Sequence, residues 1–300
     1  MTKIVLPLVR AIIMMPLLHA TVQAAIVSAT PQMRTYVSGT GNDSNPCAVS
    51  SPCKTLQVAL SLTRAGGEIY VLNSANYGPL TINKAVTITS EGAVAGVLAT
   101  GSVAITISAG PNDVINLRGL DIDGGNTGGV GIQFNSGQSL IIQKSLIRNF
   151  TNCGINFAPS GTSSLFVSDT VVTHNTNNGV LIANSATGAL SRVTASGNGV
   201  GVFASGASAS VTVTDLVAGN NTYGIGANSS AMMVRNSMIS NNAVGIAADQ
   251  SAIVRVGQST ITGNGTGWQA LNGGQVQSYG NNNVGGNTTD GTASTTLALE

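Results

Sequence analysis

The sequence predicts an all-β fold, a single-stranded parallel β-helix whose coils of about 22 residues stack on one another. Three observations predict it: glycines that recur at a nearly fixed period, asparagines at the bends between short apolar strands, and a composition low in charge. Of the 300 residues, 42% are hydrophobic, 8% charged and 4% aromatic, whereas a typical soluble domain is about 25% charged. Val, Ile and Leu recur throughout the chain, so we expect an ordered protein.

The glycine period is found by aligning the segments from residue 140 onward. Each segment reads as an apolar pair, a polar bend, a short strand, an Asn, a Gly and another strand. The glycines are 25, 22, 23, 21 and 22 residues apart, at Gly154, Gly179, Gly201, Gly224, Gly245 and Gly267. Units this short cannot bury an apolar face alone and must stack. Leucine-rich repeats have a similar length, but they require fixed Leu positions that this sequence lacks.

The asparagines at the bends predict a stacked polar column. Asn tolerates the left-handed backbone conformation, and its amide can hydrogen-bond up and down a stack. The predicted column consists of Asn149, Asn175, Asn198, Asn220, Asn241 and Asn264. No proline follows Pro159, which suits uninterrupted ladders because proline lacks a backbone donor.

The first 24 residues predict an export signal. Lys3 and Arg10 precede the apolar run 11–18, and small residues before Ala24 favour cleavage after it. Cleavage would remove two of the 12 basic residues and none of the 11 acidic ones, leaving a net charge of −1. A nearly neutral chain has no basic field for nucleic acid, and no apolar run reaches the length of a bilayer span. We therefore expect a secreted or periplasmic monomer without membrane insertion.

The segment after the signal predicts a disulfide and a cap. Cys47 and Cys53 close a short loop, and an oxidising compartment favours a disulfide between them. Apolar residues at helical spacing in 54–67 predict a short helix over the first coil, with Gly66 and Gly67 as its stop. The expected organisation is a signal peptide over 1–24, an N-terminal segment with disulfide and capping helix over 25–67, the β-helix over 68–279, and a C-terminal cap or tail over 280–300. The expected early strands are 68–72, 80–82, 86–88, 103–107 and 114–122.

Several segments resemble a known family. TYVSGTGNDSNPCAVSSPCKTLQVAL (35–60), AGGEIYVL (65–72), NDVINLRGLDIDGG (112–125) and the GIQF and GINF coil endings resemble secreted right-handed parallel β-helix proteins of bacteria in the pectate-lyase-like superfamily. The resemblance implies a right-handed coil with three sheets. The superfamily includes polysaccharide lyases, hydrolases, epimerases, tailspikes and adhesins, so the resemblance does not select one activity.

The motifs of polygalacturonase-like hydrolases are incomplete in this sequence. Asn126-Thr127-Gly128 lacks the acid of their Asn-Thr-Asp segment, and His174 is not flanked by glycines. A catalytic pair of Cys153 and His174 is not expected, because free Cys is usually buried and inert. Trp268 is interpreted as a packing residue at a coil end.

The candidate catalytic residues are Asp121, Asp123, Lys144 and Arg148. The repeat alignment places Asp123, Arg148 and His174 in one column, and Lys144, Asp169, Arg192 and Asp215 in a second. Asp121 and Asp123 could act as acid or hold a cation, and Arg148 or Lys144 could bind a uronate carboxylate or act as base. No cofactor is expected, with calcium left open. The alternative interpretation is a ladder of cross-strand ion pairs that contributes to stability alone.

The composition favours three functions in a definite order. The first is engagement of extracellular or cell-surface polysaccharide, because rows of Asn, Gln, Ser and Thr offer many hydrogen-bonding groups to glycan hydroxyls. The second is a lyase or glycoside hydrolase acting on acidic glycans. The third is a non-catalytic structural or adhesin module.

Overall fold

The computed structural model describes residues 31–299, which form a solenoid of three parallel β-sheets. The predicted signal peptide and its cleavage site lie outside the described residues. Sheet I has twelve strands: Gln32–Val37, Thr63–Val71, Val86–Ser90, Val114–Arg118, Ser139–Gln143, Ser164–Ser168, Thr187–Ser191, Ser210–Thr214, Ala231–Arg235, Ile253–Gly257, Gln275–Ser278 and Thr295–Thr296. Sheet II has ten strands: Ala75–Asn76, Ala95–Leu98, Leu120–Asp123, Leu146–Arg148, Val171–Thr173, Thr194–Ser196, Val217–Gly219, Met238–Ser240, Thr260–Thr262 and Asn283–Val284. Sheet III has nine strands: Leu80–Ile82, Val103–Ser108, Val130–Ser136, Ile155–Phe157, Asn178–Ala183, Val200–Ser205, Tyr223–Asn228, Val244–Asp249 and Thr266–Ala270.

Each coil passes through the three sheets in turn, which confirms the predicted parallel β-helix. A strand of sheet I leads to sheet II and then to sheet III, and every strand pairs in parallel with the equivalent strand of the next coil. Inward positions therefore form apolar columns. In sheet II, for example, Ile122, Ile147 and Val172 are in register and fully buried. This continuous column is the core that a single coil could not provide.

The predicted strand 114–122 is wrong because the chain turns a corner at Gly119. Gly119 has φ +73°, and a Cβ there would collide with the backbone oxygen of Ser90. The turn separates Val114–Arg118 of sheet I from Leu120–Asp123 of sheet II. We call this bend between sheets I and II corner I/II, and the bend between sheets II and III corner II/III.

The helix is shorter than predicted and spans Leu56–Leu62. The Thr55 hydroxyl accepts a hydrogen bond from the Val58 amide at its start, which is a standard N-cap. Thr63 ends the helix: it has extended backbone, and its hydroxyl donates to the Ala59 carbonyl at 2.7 Å. Gly66 and Gly67 are therefore not the stop, and both lie in the strand Thr63–Val71.

The predicted glycine column exists in sheet III and has a steric cause. A Cβ on Gly179 would lie 2.6 Å from the carbonyl oxygen of Gly201, and one on Gly201 would lie 2.5 Å from that of Gly224. Real Cβ atoms essentially never come that close to a backbone oxygen. Successive coils can approach at this position because the side chain is missing.

The predicted asparagine column is divided between two neighbouring positions of corner II/III. Left-handed positions at the corner hold Asn149, Asn220 and Asn241. The following position holds an asparagine ladder, of which every member but the last is buried: Asn175, Asn198, Asn221, Asn242, Asn264 and Asn287. The alignment was off by one residue because both positions favour Asn, one for its backbone conformation and the other for its amide.

The amides of the ladder satisfy one another along the solenoid axis. The Asn221 Oδ1 accepts from the backbone amide of Asn198 at 2.8 Å. The Asn221 Nδ2 donates to the Ala195 carbonyl and to Asn242 Oδ1, both at 3.0 Å. The ladder ends at Asp290, whose Oδ1 accepts from Asn287 Nδ2 at 2.8 Å. The buried polar groups of corner II/III are therefore satisfied by hydrogen bonds within the protein.

The ends of the described chain differ from the regular coils. The disulfide Cys47–Cys53 is present, and both residues are fully buried against the first strand and the helix. Strand pairing begins at Gln32, and short strands continue to Thr296 within the polar C-terminal segment. Within 31–299, no helix is long and apolar enough to cross a membrane.

Candidate functional site

Corner I/II carries the second predicted charge column. The amide of Lys144 bonds the Ser168 carbonyl, that of Asp169 the Ser191 carbonyl, and that of Arg192 the Thr214 carbonyl, which places one charged residue on each coil. Every member has a left-handed backbone: Lys144, Asp169, Arg192, Asp215, Asn236 and Gln258, with φ between 47° and 56°. The corner is exposed, so each side chain projects from a left-handed turn toward solvent.

Most charges in this column are compensated by a neighbour. Arg192 binds Asp169 through two contacts, Nε to Oδ1 at 2.7 Å and Nη2 to Oδ2 at 3.0 Å. Asp215 accepts a hydrogen bond from the amide of Asn236. The ammonium of Lys144 makes no hydrogen bond or ion pair with any residue of 31–299. Lys144 is thus the member whose charge is available to a ligand.

Asp121, Asp123 and Arg148 form a cluster on the outer face of sheet II. Arg148 pairs in register with Asp123, and its Nε donates to Asp123 Oδ2 at 2.9 Å. Its Nη2 reaches diagonally to Asp121 Oδ2 at 3.2 Å. Arg148 therefore bridges both carboxylates, as the ion-pair interpretation expects.

His174 is not in this column, so the alignment was wrong by one residue there. Thr173 pairs with Arg148, and His174 lies at the adjacent left-handed position with φ 54°. Its Nδ1 lies 2.9 Å from the Thr173 hydroxyl. The His174 side chain therefore belongs to corner II/III and not to the Asp121 cluster.

The environments of the two carboxylates move their pKa values in opposite directions. Burial raises the pKa of Asp121, and Arg148 opposes that rise only in part. For Asp123, burial acts in the same upward direction, but hydrogen bonds from Gly125, Asn149 and Arg148 lower its pKa overall. The Asp121 Oδ1 is buried without a hydrogen-bond partner. The cluster thus contains one carboxyl group whose pKa is raised and one whose pKa is lowered.

Two contacts of this cluster were missed by sequence reasoning. Asn149 Nδ2 donates to Asp123 Oδ1 at 3.0 Å, and the Gly125 amide donates to the same oxygen at 2.8 Å. The second contact is an Asx-turn, for which the sequence Asp-Gly-Gly is a recognisable signal. The contact of Asn149 depends on the register between coils and has no local signal.

A shallow depression of about 410 Å³ joins the cluster to Lys144. Asp121, Lys144 and Asp169 provide its charged rim, and the apolar Leu146 and Val171 contribute part of its lining. Arg148 is unsuited to abstract a proton, because its hydrogen bond to Asp123 raises the pKa of its guanidinium. The four candidate residues thus form one region, with Arg148 occupied by carboxylates and Lys144 accessible.

The donor set does not fit a calcium ion. Calcium takes six to eight oxygen ligands at about 2.3–2.6 Å, whereas the carboxylates of Asp121 and Asp123 are both bridged by Arg148. Residues 31–299 contain no group of three or more His, Cys, Asp or Glu side chains placed to hold a metal. We therefore derive no chemical step through calcium.

The remaining single residues have structural surroundings. Cys153 is a buried free thiol beside Asn152 and Asn178. Trp268 is 7% exposed and packs in the core near the C-terminal end of the coil stack, as expected, although its indole N–H has no partner.

Comparison with known proteins identifies the fold. The family model described as "Right handed beta helix region" matches residues 63–215 and 130–289. The chain is similar to the solved structure of pectate lyase Pel9A, with TM-score 0.61 and 14% identity over 84% of this chain and 75% of that one. It is also similar to XylC in complex with xylose, with TM-score 0.68 and 8% identity over 82% of this chain and 68% of that one. A third similar structure is the A-module of the Azotobacter vinelandii mannuronan C-5 epimerase AlgE6, with TM-score 0.54 and 14% identity over 78% and 88% of the two chains.

Identities this low are informative about the fold alone. No curated protein matches the sequence significantly. The family model matches well over half of the chain, and the three parallel sheets agree with it. The chain therefore belongs to the right-handed β-helix family.

Proposed function

We propose that this chain is an exported monomeric β-helix protein that binds acidic polysaccharide along corner I/II. The observation that carries the proposal is the exposed ammonium of Lys144 at the rim of the depression beside Asp121. An exposed ammonium attracts a carboxylate of the glycan, and Leu146 and Val171 offer apolar contact to the sugar ring.

Two further observations support this proposal. The similar structures include a pectate lyase and a mannuronan C-5 epimerase, both of which are named for polymers of acidic sugars. The disulfide Cys47–Cys53 is typical of proteins that fold in an oxidising compartment.

The test is retention of the mature protein on immobilised polygalacturonate and on dextran as a neutral polymer. We expect retention on polygalacturonate alone, and about tenfold weaker binding for Lys144→Gln, the loss of one charge-assisted contact. Lys54→Gln is the matched control, because Lys54 is also exposed but lies in the N-terminal segment, away from Lys144. Equal retention on dextran, or an equal loss for both variants, would contradict the proposal.

Catalysis is the second candidate function, and the opposite pKa shifts favour it. Burial, which raises the pKa of Asp121, favours this residue as the acid that donates to a glycosidic oxygen, and the hydrogen bonds that lower the pKa of Asp123 favour it as the base. The two residues lie two positions apart on the strand Leu120–Asp123, with both side chains on its outer face. Arg148 bridges the two carboxylates and would have to move for a substrate to enter.

The catalytic candidate is tested by incubating the protein with acidic and neutral polysaccharides. New reducing ends that disappear in Asp121→Asn would support hydrolysis, and ultraviolet absorbance from unsaturated uronates would instead identify a lyase. A folded protein that neither changes nor retains any polymer would favour a structural or adhesin module.

A further inference from the structure

A cavity lies on the outer face of sheet I, several coils away from the Asp121 cluster. It measures about 530 Å³ and is lined by residues of three consecutive coils and of the C-terminal segment. Its lining consists of Met233, Arg235, Gly257, Gln258, Tyr279, Asn281 and the segment 297–299. Neither the family assignment nor the proposed function uses this cavity.

The floor of the cavity is open because Gly257 carries no side chain. Gly257 lies in register with Arg235 of the preceding coil. A Cβ on Gly257 would lie 3.3 Å from Tyr279 Cδ2 and 3.5 Å from Asn281 Oδ1, so a larger side chain would fill the space between these groups. The C-terminal segment forms another wall, held by the hydrogen bond from the Leu297 amide to the Ser278 carbonyl at 2.7 Å.

The polar groups that face the cavity are mainly donors. Arg235 Nη2 donates to Gln258 Oε1 at 2.9 Å, which fixes the guanidinium and leaves the Gln258 amide nitrogen as a donor. Asn281 Oδ1 accepts from the Gln258 backbone amide at 2.9 Å, which leaves the Asn281 Nδ2 as a donor. Among residues 31–299 the lining contains no carboxylate, and Arg235 makes no ion pair with any residue of that range. A site with one cation and several donors suits a ligand that is anionic and rich in acceptors.

The apolar part of the lining restricts the ligand further. Met233, Leu297 and Leu299 border the cavity together with the ring of Tyr279. An inorganic anion would leave these apolar groups without contact. The apolar C–H face of a sugar ring would cover these groups, and an aromatic side chain is a common partner for such a face.

We propose that this cavity is a second subsite, which binds one acidic sugar residue through Arg235. The carboxylate pairs with the guanidinium of Arg235, the hydroxyls accept from Gln258 and Asn281, and the ring packs against Tyr279. The subsite lies on the same edge as Lys144, because Gln258 is a member of the corner I/II column. Five coil spacings separate Lys144 from Gln258, about 24 Å at roughly 4.8 Å per coil. The inference rests on the proposed function in that one acidic polymer would contact both places.

The experiment is a titration of the full mature chain with trigalacturonate, a ligand too short to span both places. A neutral galactose trimer and acetate are titrated in parallel, to separate the sugar ring from the carboxylate. We expect binding of trigalacturonate, weakened at least tenfold in Arg235→Gln. Gly257→Leu is expected to abolish it by filling the cavity, while circular dichroism remains that of the native protein. Arg64→Gln is the matched control, an exposed arginine in the second strand of sheet I.

The outcomes separate the subsite from the proposed function. If acetate binds as well as trigalacturonate, or if Arg235→Gln and Arg64→Gln bind equally, the subsite is wrong. Loss of trigalacturonate binding in Arg235→Gln with unchanged polymer retention in Lys144→Gln would support the subsite and contradict the Lys144 site. The reverse pattern would support the Lys144 site and contradict the subsite.

Discussion

The two corners on either side of sheet II share a left-handed turn but differ in the residue that follows the turn. At corner II/III the next position is an asparagine on six consecutive coils, buried on the first five, and amide hydrogen bonds join these side chains. At corner I/II the next position varies on six consecutive coils: Ser145, Thr170, Val193, Leu216, Ser237 and Ser259. Hydroxyl groups support only part of that column, as where Ser237 Oγ accepts from the Leu216 amide.

The difference separates the scaffold from the proposed binding surface. Corner II/III needs Asn because a buried amide must satisfy backbone groups on neighbouring coils. Corner I/II places its left-handed residues in solvent, where Lys, Asp, Arg, Asn and Gln all occur in one column. Such positions carry little of the folding free energy and are therefore free to carry charge for a ligand.

The largest expected effect is the loss of one ladder amide. Asn221→Ala removes the acceptor of the Asn198 amide and the donor to the Ala195 carbonyl, both buried. Four lost hydrogen bonds at about 1 kcal/mol each predict a loss of about 4 kcal/mol in the free energy of unfolding, measured with urea. Asn220→Gly, at the adjacent left-handed position, is the control and should change stability by less than about 0.5 kcal/mol. Equal effects of the two would show that the ladder is not the source of stability.

The glycine column next to the ladder gives the second effect. Gly201→Ala puts a Cβ 2.5 Å from the Gly224 carbonyl oxygen, so the coils must separate locally. Overpacking of this kind costs about 2 kcal/mol. Gly161→Ala, where no atom lies within 4 Å of the added Cβ, should have almost no effect on urea unfolding. A tolerated Gly201→Ala would contradict the close approach of coils in sheet III.

The Asp121 cluster gives a smaller effect that depends on pH. The lowered pKa of Asp123 stabilises the folded state above its ordinary pKa of 3.8, and this stabilisation is lost as the pH falls through the folded pKa. The raised pKa of Asp121 has the opposite sign, so its contribution is lost as the pH rises through that pKa. At pH 7, Asp123→Asn should therefore cost about 1 kcal/mol, and Asp121→Asn should cost less. The difference in stability between the two variants should disappear below pH 3.8. A difference that stays constant with pH would contradict the opposite pKa shifts of Asp121 and Asp123.

The smallest effect is expected at corner I/II. Arg192→Gln breaks the bidentate pair with Asp169, but both side chains are substantially exposed. Exposed ion pairs contribute little to stability, so thermal unfolding should not change measurably. A clear drop in the unfolding temperature would mean that this corner is part of the scaffold.

Sequence reasoning predicted the scaffold better than the site, for physical reasons. Burial and close approach restrict residue type at positions such as Gly201 and Asn198, so the period is visible in one sequence. Exposed positions are not restricted in this way, and the register of His174 against Arg148 was therefore wrong by one residue. Contacts between coils, such as Asn149 with Asp123, and the cavity around Arg235 depend on that register and left no local pattern.

The most direct test of the account is the affinity of long polygalacturonate for four forms of the full mature chain. These are the unchanged protein, Lys144→Gln, Arg235→Gln and the variant with both substitutions. The two residues are far apart, so their effects should add, to about tenfold weaker binding for each and about a hundredfold for both. Lys54→Gln with Arg64→Gln removes the same charge from elsewhere and should bind like the unchanged protein. Equal affinities for the two double variants would contradict binding along corner I/II.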